Sequence, residues 1–125
     1  MHQNILIIDD SELVLAMAKD NLEEAGYLVQ TATTGIEANR YIFSRSRPNL
    51  IIMDIMMPML NGNEKAKLLK ENEVSKDIPI LLFSSKSDAE MRKLTAEAGA
   101  DGYILKPFSQ SEIARKVKNC LSGVR

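Results

Sequence analysis

Five short apolar runs punctuate the chain: Ile5–Ile8, Leu28–Ala32, Leu50–Met53, Ile80–Phe83 and Gly102–Leu105. Three of them, ILII, LIIM and ILLF, are continuous rather than alternating, the pattern of strands buried on both faces of a parallel sheet. Between the runs the apolar spacing turns helical: Met91, Leu94, Thr95 and Ala98 share one helix face, as do Ile113, Val117 and Leu121. Helix starts are marked by an N-cap residue followed three positions later by a glutamate, at Thr34/Glu37, Asn61/Glu64, Ser87/Glu90 and Ser109/Glu112. Gly26 and Gly99 stand where helices should stop before the next strand. The pattern is β-α five times over and fills residues 1–125 as one domain. It predicts an α/β doubly wound parallel sheet with helices on both faces and right-handed crossovers.

Ligands of open α/β sheets sit beyond the carboxyl ends of the strands. The first strand should end in Asp9-Asp10, the third in Asp54, the fourth in Ser84-Ser85 and the fifth in Lys106-Pro107, while the second ends in Thr33-Thr34. Two carboxylates about 4 Å apart repel by roughly 4 kcal/mol at an effective dielectric of 20. Three must therefore hold protons or recruit positive charge. Lys106 offers one charge, and a hard divalent cation, Mg²⁺ or Mn²⁺, would supply two more. A phosphoryl group on Asp54 would complete the site, its oxygens met by the cation, Lys106 and the Ser84 hydroxyl.

Composition narrows the field. The chain is 45% hydrophobic and 26% charged with a net charge of −1, ordinary for a soluble globular protein and without a whole-molecule field for nucleic acid or anionic lipid. No apolar run approaches the roughly 18 residues that span a bilayer. MHQNILIIDD has no signal-peptide pattern, and one cysteine, Cys120, excludes an internal disulfide framework. A cytoplasmic location is expected. His2 reads as a solvated terminal residue, and the methionines, Met53, Met56, Met57 and Met59 among them, as gap-filling packing.

The acidic pair, the aspartate of IIMDIMMPMLNG, the serine after the fourth strand and the KPF after the fifth resemble the receiver domain of two-component response regulators. The resemblance covers essentially the whole chain and is similar to single-domain regulators of the chemotaxis or phosphorelay type. It implies a flavodoxin-like (βα)5 fold with strand order 2-1-3-4-5. It implies that Asp54 accepts a phosphoryl group from a histidine kinase or phosphotransfer protein in a Mg²⁺-dependent reaction. Asp10 and Asp54 would bind the metal directly, with the Met56 backbone carbonyl, and Asp9 through water. Lys106 would pair with Asp54 and then with the phosphoryl group. Ser84 would move toward the phosphate and Tyr103 would follow as an aromatic switch. Pro107 would follow a cis peptide bond, and Pro58 and Gly62 would shape the loop under Asp54. The chain would be a phosphoacceptor that assists its own phosphorylation and slow dephosphorylation, not an enzyme acting on a separate substrate. It is expected to be a monomer, with phosphorylation-dependent dimerisation as the alternative.

Two surfaces follow from that resemblance. Leu13-Val14-Leu15-Ala16-Met17-Ala18 wraps beyond a single buried stripe, so Leu13, Val14, Leu15 and Met17 are expected to dock the phosphodonor. The fourth helix, fifth strand and fifth helix would form the output face, carrying Arg92, Lys93, Arg115, Lys116 and Lys118 against Glu90, Glu97 and Glu112, for a protein partner of acidic character. Moving such a switch from 1:99 to 99:1 needs roughly 5.5 kcal/mol of differential stabilisation. Met56 and Lys86 depart from what chemotaxis-type members commonly carry there: Met56 is apolar in place of a polar side chain, and Lys86 is cationic where a carboxylate or amide could hold a water. An apolar Met56 cannot orient an attacking water, so a long-lived phosphoaspartate is expected. The rival readings are a receiver cut from a longer DNA-binding regulator and an aspartyl-phosphate phosphohydrolase, although DIMMP lacks the second acid a hydrolase wants. A flavin carrier is disfavoured by the acidic DDSEL loop.

Overall fold

The structure, a computed structural model, describes residues 3–57 and 60–123. The expectations placed on His2, Pro58 and Met59 lie outside these residues. The elements run β1 (Asn4–Ile8), α1 (Glu12–Glu24), β2 (Leu28–Ala32), α2 (Gly35–Ile42), β3 (Leu50–Asp54), α3 (Gly62–Glu71), β4 (Ile80–Ser84), α4 (Asp88–Ala98), β5 (Gly102–Leu105) and α5 (Gln110–Leu121). A two-rung antiparallel ladder, Met56–Met57 with Leu60–Asn61, interrupts the passage from β3 to α3.

The five long strands pair in parallel in the order β2-β1-β3-β4-β5. The central runs read as continuous apolar stretches because both faces are covered. Leu6, Ile8, Ile51, Met53, Ile80 and Leu82 point into one core with Ala38, Ile42, Ala66, Leu69 and Met91. The alternate residues Ile5, Ile7, Leu50, Ile52, Leu81 and Phe83 meet Leu15, Leu22, Ile113 and Val117 of α1 and α5 on the other side. A one-residue slip of any central strand would exchange these two sets, so packing on both faces pins the register.

Thr34, Asn61, Ser87 and Ser109 each accept the backbone N–H three residues on, and Ser109 with Glu112 forms the complete reciprocal box. Ser11 caps α1 in the same way through Val14 N–H. It escapes the sequence signature because its third position is valine, not glutamate. Gly99 closes α4 at φ 70°, a left-handed conformation that a side chain would strain.

Candidate functional site

Sheet register brings the polar strand ends together. Ile8 lies opposite Met53, Asp54 opposite Phe83, and Ser84 opposite Leu105, so Asp9, Asp54, Ser84 and Lys106 emerge at one level. Asp9 is fully buried. Its Oδ1 accepts the Ser11 N–H at 2.9 Å, and its Oδ2 takes the Lys106 ammonium at 2.7 Å. Asp54 is 5% exposed; its Oδ1 accepts the Met56 N–H at 2.9 Å and its Oδ2 meets Lys106 Nζ at 3.2 Å. The lysine therefore bridges the two acids and sits closer to Asp9. Its ammonium stands 4.7 Å from the centre of the Phe83 ring, which in turn packs against Phe108 at 5.2 Å. That aromatic floor adds a cation–π attraction to the ionic one. The Lys106–Pro107 peptide bond is cis.

Asp10 is exposed at the mouth. Asp9, Asp10 and Asp54 each offer a carboxylate oxygen, all within 4.8 Å of one another. Three carboxylates facing one ammonium leave the site short of positive charge by two. Hard oxygen donors at this spacing fit Mg²⁺ or Mn²⁺, which keep several waters and share a few carboxylates. Burial raises the Asp54 pKa, and the Asp9 charge adds to that; the Met56 N–H and Lys106 pull the other way without cancelling it.

Ser84 is buried at the end of β4, where its hydroxyl accepts the Lys86 N–H at 3.1 Å and its carbonyl accepts the Lys106 N–H at 2.8 Å. Tyr103, at the centre of β5, is half-buried with its hydroxyl donating to Asp88 Oδ1 at the start of α4. Gly62 opens α3 directly against the site: a Cβ there would lie 2.2 Å from the Asp54 carbonyl oxygen. Only glycine allows α3 to start so close under the acid.

Helix α1 requires a correction. Leu15 is 5% exposed and packs with Ala18 and Leu22 into the α1–α5 core, so it cannot dock a partner. The helical period turns position 15 inward and leaves Leu13, 71% exposed, and Met17, 49% exposed, on the outer face four residues apart. Val14 is half-buried between them. Met56 is corrected too. It is 60% exposed at the mouth of the site rather than filling a gap, whereas Met53 and Met57 are core. Lys86 lies 3.7 Å from Glu90. On the expected output face, Arg92 pairs with Asp88 and Lys93 with Glu97 along α4, which leaves its charge more balanced than the count of basic residues implies. Sequence reasoning missed Ser11, Phe83 and Asp88; the i,i+4 pair Asp88–Arg92 was legible in DAEMR, but its meeting with Tyr103 was not.

Residues 5–118 match the family model of the response regulator receiver domain, and the chain belongs to that family. It is 38% identical over 121 residues to the alkaline phosphatase synthesis transcriptional regulatory protein PhoP of Bacillus subtilis, a match covering 97% of this chain and 49% of PhoP. The chain spans about half the length of the curated relatives it matches. Its fold superposes on the chemotaxis response regulator CheY4 of Vibrio cholerae with a TM-score of 0.87 and 29% identity, over 96% of this chain and 99% of that one. It also superposes on the receiver domain of a Pseudomonas aeruginosa sensor histidine kinase, a structure with a magnesium ion in its active-site cleft. There the TM-score is 0.85 with 26% identity, over 98% of this chain and 99% of that one. Among the described residues no helix is long and apolar enough to cross a membrane.

Proposed function

We propose that this chain is the phosphoryl-accepting switch of a transcriptional response regulator, acting in the cytoplasm with Asp54 as the acceptor. The observation that carries the reading is a nearly buried carboxylate held 3.2 Å from a lysine, with two further acids in reach of the same cation. A carboxylate oxygen of Asp54 attacks the phosphorus of a phosphohistidine. The P–N bond breaks, and the imidazole leaves with the electron pair. Asp9, Asp10, Asp54 and the Met56 carbonyl would hold Mg²⁺, which when bound neutralises charge on the transferring group. Lys106 turns from the acids to a phosphoryl oxygen, Ser84 donates its hydroxyl to another, and the space it vacates admits Tyr103. The altered α4–β5–α5 face then controls a downstream unit without itself contacting nucleic acid. The chain works as a monomeric substrate that assists its own modification.

The curated relatives are named as transcriptional regulators and extend well beyond the matched half, which favours a DNA-controlling output over a chemotaxis one. Intact mass after incubation with acetyl phosphate tests the chemistry: one added phosphoryl group with Mg²⁺ and none without it. No adduct in the presence of the metal would overturn the reading.

Two further outcomes belong here. Leu13→Asp places a charge on the outer face of α1 and should slow transfer from a phosphohistidine donor at least about tenfold, while labelling by acetyl phosphate proceeds at the parent rate. Equal slowing of both would remove the docking role. Met56→Asn puts an amide where a water must be oriented above Asp54 and should shorten the phosphoaspartate half-life severalfold. A half-life equal to the parent's would show that Met56 does not govern hydrolysis.

A further inference from the structure

Tyr103 is held from two helices. Its hydroxyl donates to Asp88 Oδ1, the other oxygen of that carboxylate receives Arg92 Nε at 2.9 Å, and Lys116 Nζ of α5 stands 5.2 Å from the ring centre. Arg92 and Tyr103 thus meet the two oxygens of one carboxylate. The ring walls a small cavity of about 110 Å³ shared by Asp88, Ile104, Leu105, Glu112 and Lys116. Asp88 belongs to the first turn of α4, the element that follows Ser84 after a three-residue loop. The clamp thus lies on the α4–β5–α5 face, at the end of α4 that follows the site.

We propose that Asp88 and Arg92 are positioning residues that latch Tyr103 with its hydroxyl at the surface, so that phosphorylation must break this clamp before the ring can turn inward. The inference rests on the switch role given to Tyr103 above. Asp88 supplies the acceptor, and Arg92 fixes that carboxylate by taking its second oxygen, a geometry that depends on their i,i+4 spacing. Lys116 holds the ring by its face. When Tyr103 leaves, the cavity widens and three charged groups, Asp88, Arg92 and Lys116, lose a shared neighbour and become available to a partner. A ligand shifts such an equilibrium only by its differential affinity for the two states. Weakening the latch therefore raises the inward population before any phosphoryl group arrives, and tightens binding of a phosphoryl mimic by the same factor.

The chain has three tyrosines, Tyr27, Tyr41 and Tyr103, so ring-¹³C-tyrosine labelling gives a readable spectrum once Tyr103→Phe has assigned its signal. Spectra are recorded for parent, Asp88→Ala, Asp88→Asn and Arg92→Ala, with and without beryllofluoride and Mg²⁺, together with the affinity for beryllofluoride. The parent signal should move on adding beryllofluoride. In Asp88→Ala the unliganded signal should move part of the way along the same path and beryllofluoride should bind up to about fivefold more tightly, the worth of one net hydrogen bond. Asp88→Asn keeps an oxygen acceptor and should fall between parent and Asp88→Ala, and Arg92→Ala should resemble Asp88→Asn. A parent signal that stays put on adding beryllofluoride would remove the switch reading and the latch with it. A parent signal that moves, beside an Asp88→Ala signal and affinity equal to the parent's, would overturn the latch alone. Loss of helix stability in α4 by itself would lower the melting temperature without moving the Tyr103 signal along that path.

Discussion

Asp54→Asn should abolish phosphoryl labelling by acetyl phosphate and at the same time make the folded protein more stable at neutral pH. The first effect is total because the amide oxygen is too weak a nucleophile to replace the carboxylate. The second follows from the direction of the Asp54 pKa, which burial, aided by the Asp9 charge, raises above the ordinary carboxylate value. A carboxyl that holds its proton more tightly when folded loses stability as pH rises from its unfolded pKa, about 3.9, to its folded one, and the whole cost is present above the latter. Asparagine removes the charge while keeping an oxygen for the Met56 N–H, and Lys106 retains its 2.7 Å contact with Asp9. The stability gain should therefore be full at pH 7 and vanish in acid below the unfolded pKa. Each kcal/mol relieved appears as a rise of roughly 3–6 °C in Tm for a chain of this size. Thermal melts of parent and variant across pH check the sign. A variant less stable than the parent at pH 7 would show that the Asp54 carboxylate is a net stabiliser and that crowding of acids does not govern the site.

Lys106→Met should have the opposite effect on stability. Methionine is of similar length but has no ammonium to set over Phe83, and it leaves Asp9, wholly buried, and Asp54 facing each other with no cation between them. Removing one partner of a buried ion pair is costly, and with the lysine side chain 20% exposed a loss of about 2–3 kcal/mol is expected at neutral pH, or a fall in Tm on the order of 10 °C. Millimolar Mg²⁺ should restore more of the melting temperature in this variant than it adds to the parent, because the divalent ion then meets three acids with no competing ammonium. Binding only to the folded form stabilises by mass action, so the rescue should grow with metal concentration. A melting temperature equal to the parent's without metal would show that Lys106 does not neutralise Asp9. A rescue no larger than the parent's would show that lysine and metal do not share the same deficit of charge.

The readable parts of this chain were those decided locally. Short continuous apolar runs between turn signals fit strands covered on both faces, and an N-cap residue three positions before a glutamate at a strand–helix boundary marks a helix start. Where that local code was incomplete, as at Ser11 with Val14 three positions on, the cap went unread although it forms the same bond. The acids of the site were legible for a related reason: a charge at the end of an apolar strand needs a partner. Lys106 was expected as that partner, but its closer contact with Asp9 was not legible, since the two are 97 residues apart and meet only through β1, β3, β4 and β5 in register.

By itself the sequence determined the β-α alternation, the strands' burial and the convergence of three aspartates and a lysine at one end of the sheet. These depend on period and on the polarity of strand ends, both carried by neighbouring residues. The tertiary structure alone decided that Lys106 lies nearer Asp9 than Asp54, that Leu15 points inward while Leu13 points out, that Met56 stands open to solvent and that Tyr103 is tied to Asp88. Each of these is a choice among side-chain directions of similar local energy. Contacts between elements distant in the chain select one of them, and no window of sequence contains both partners.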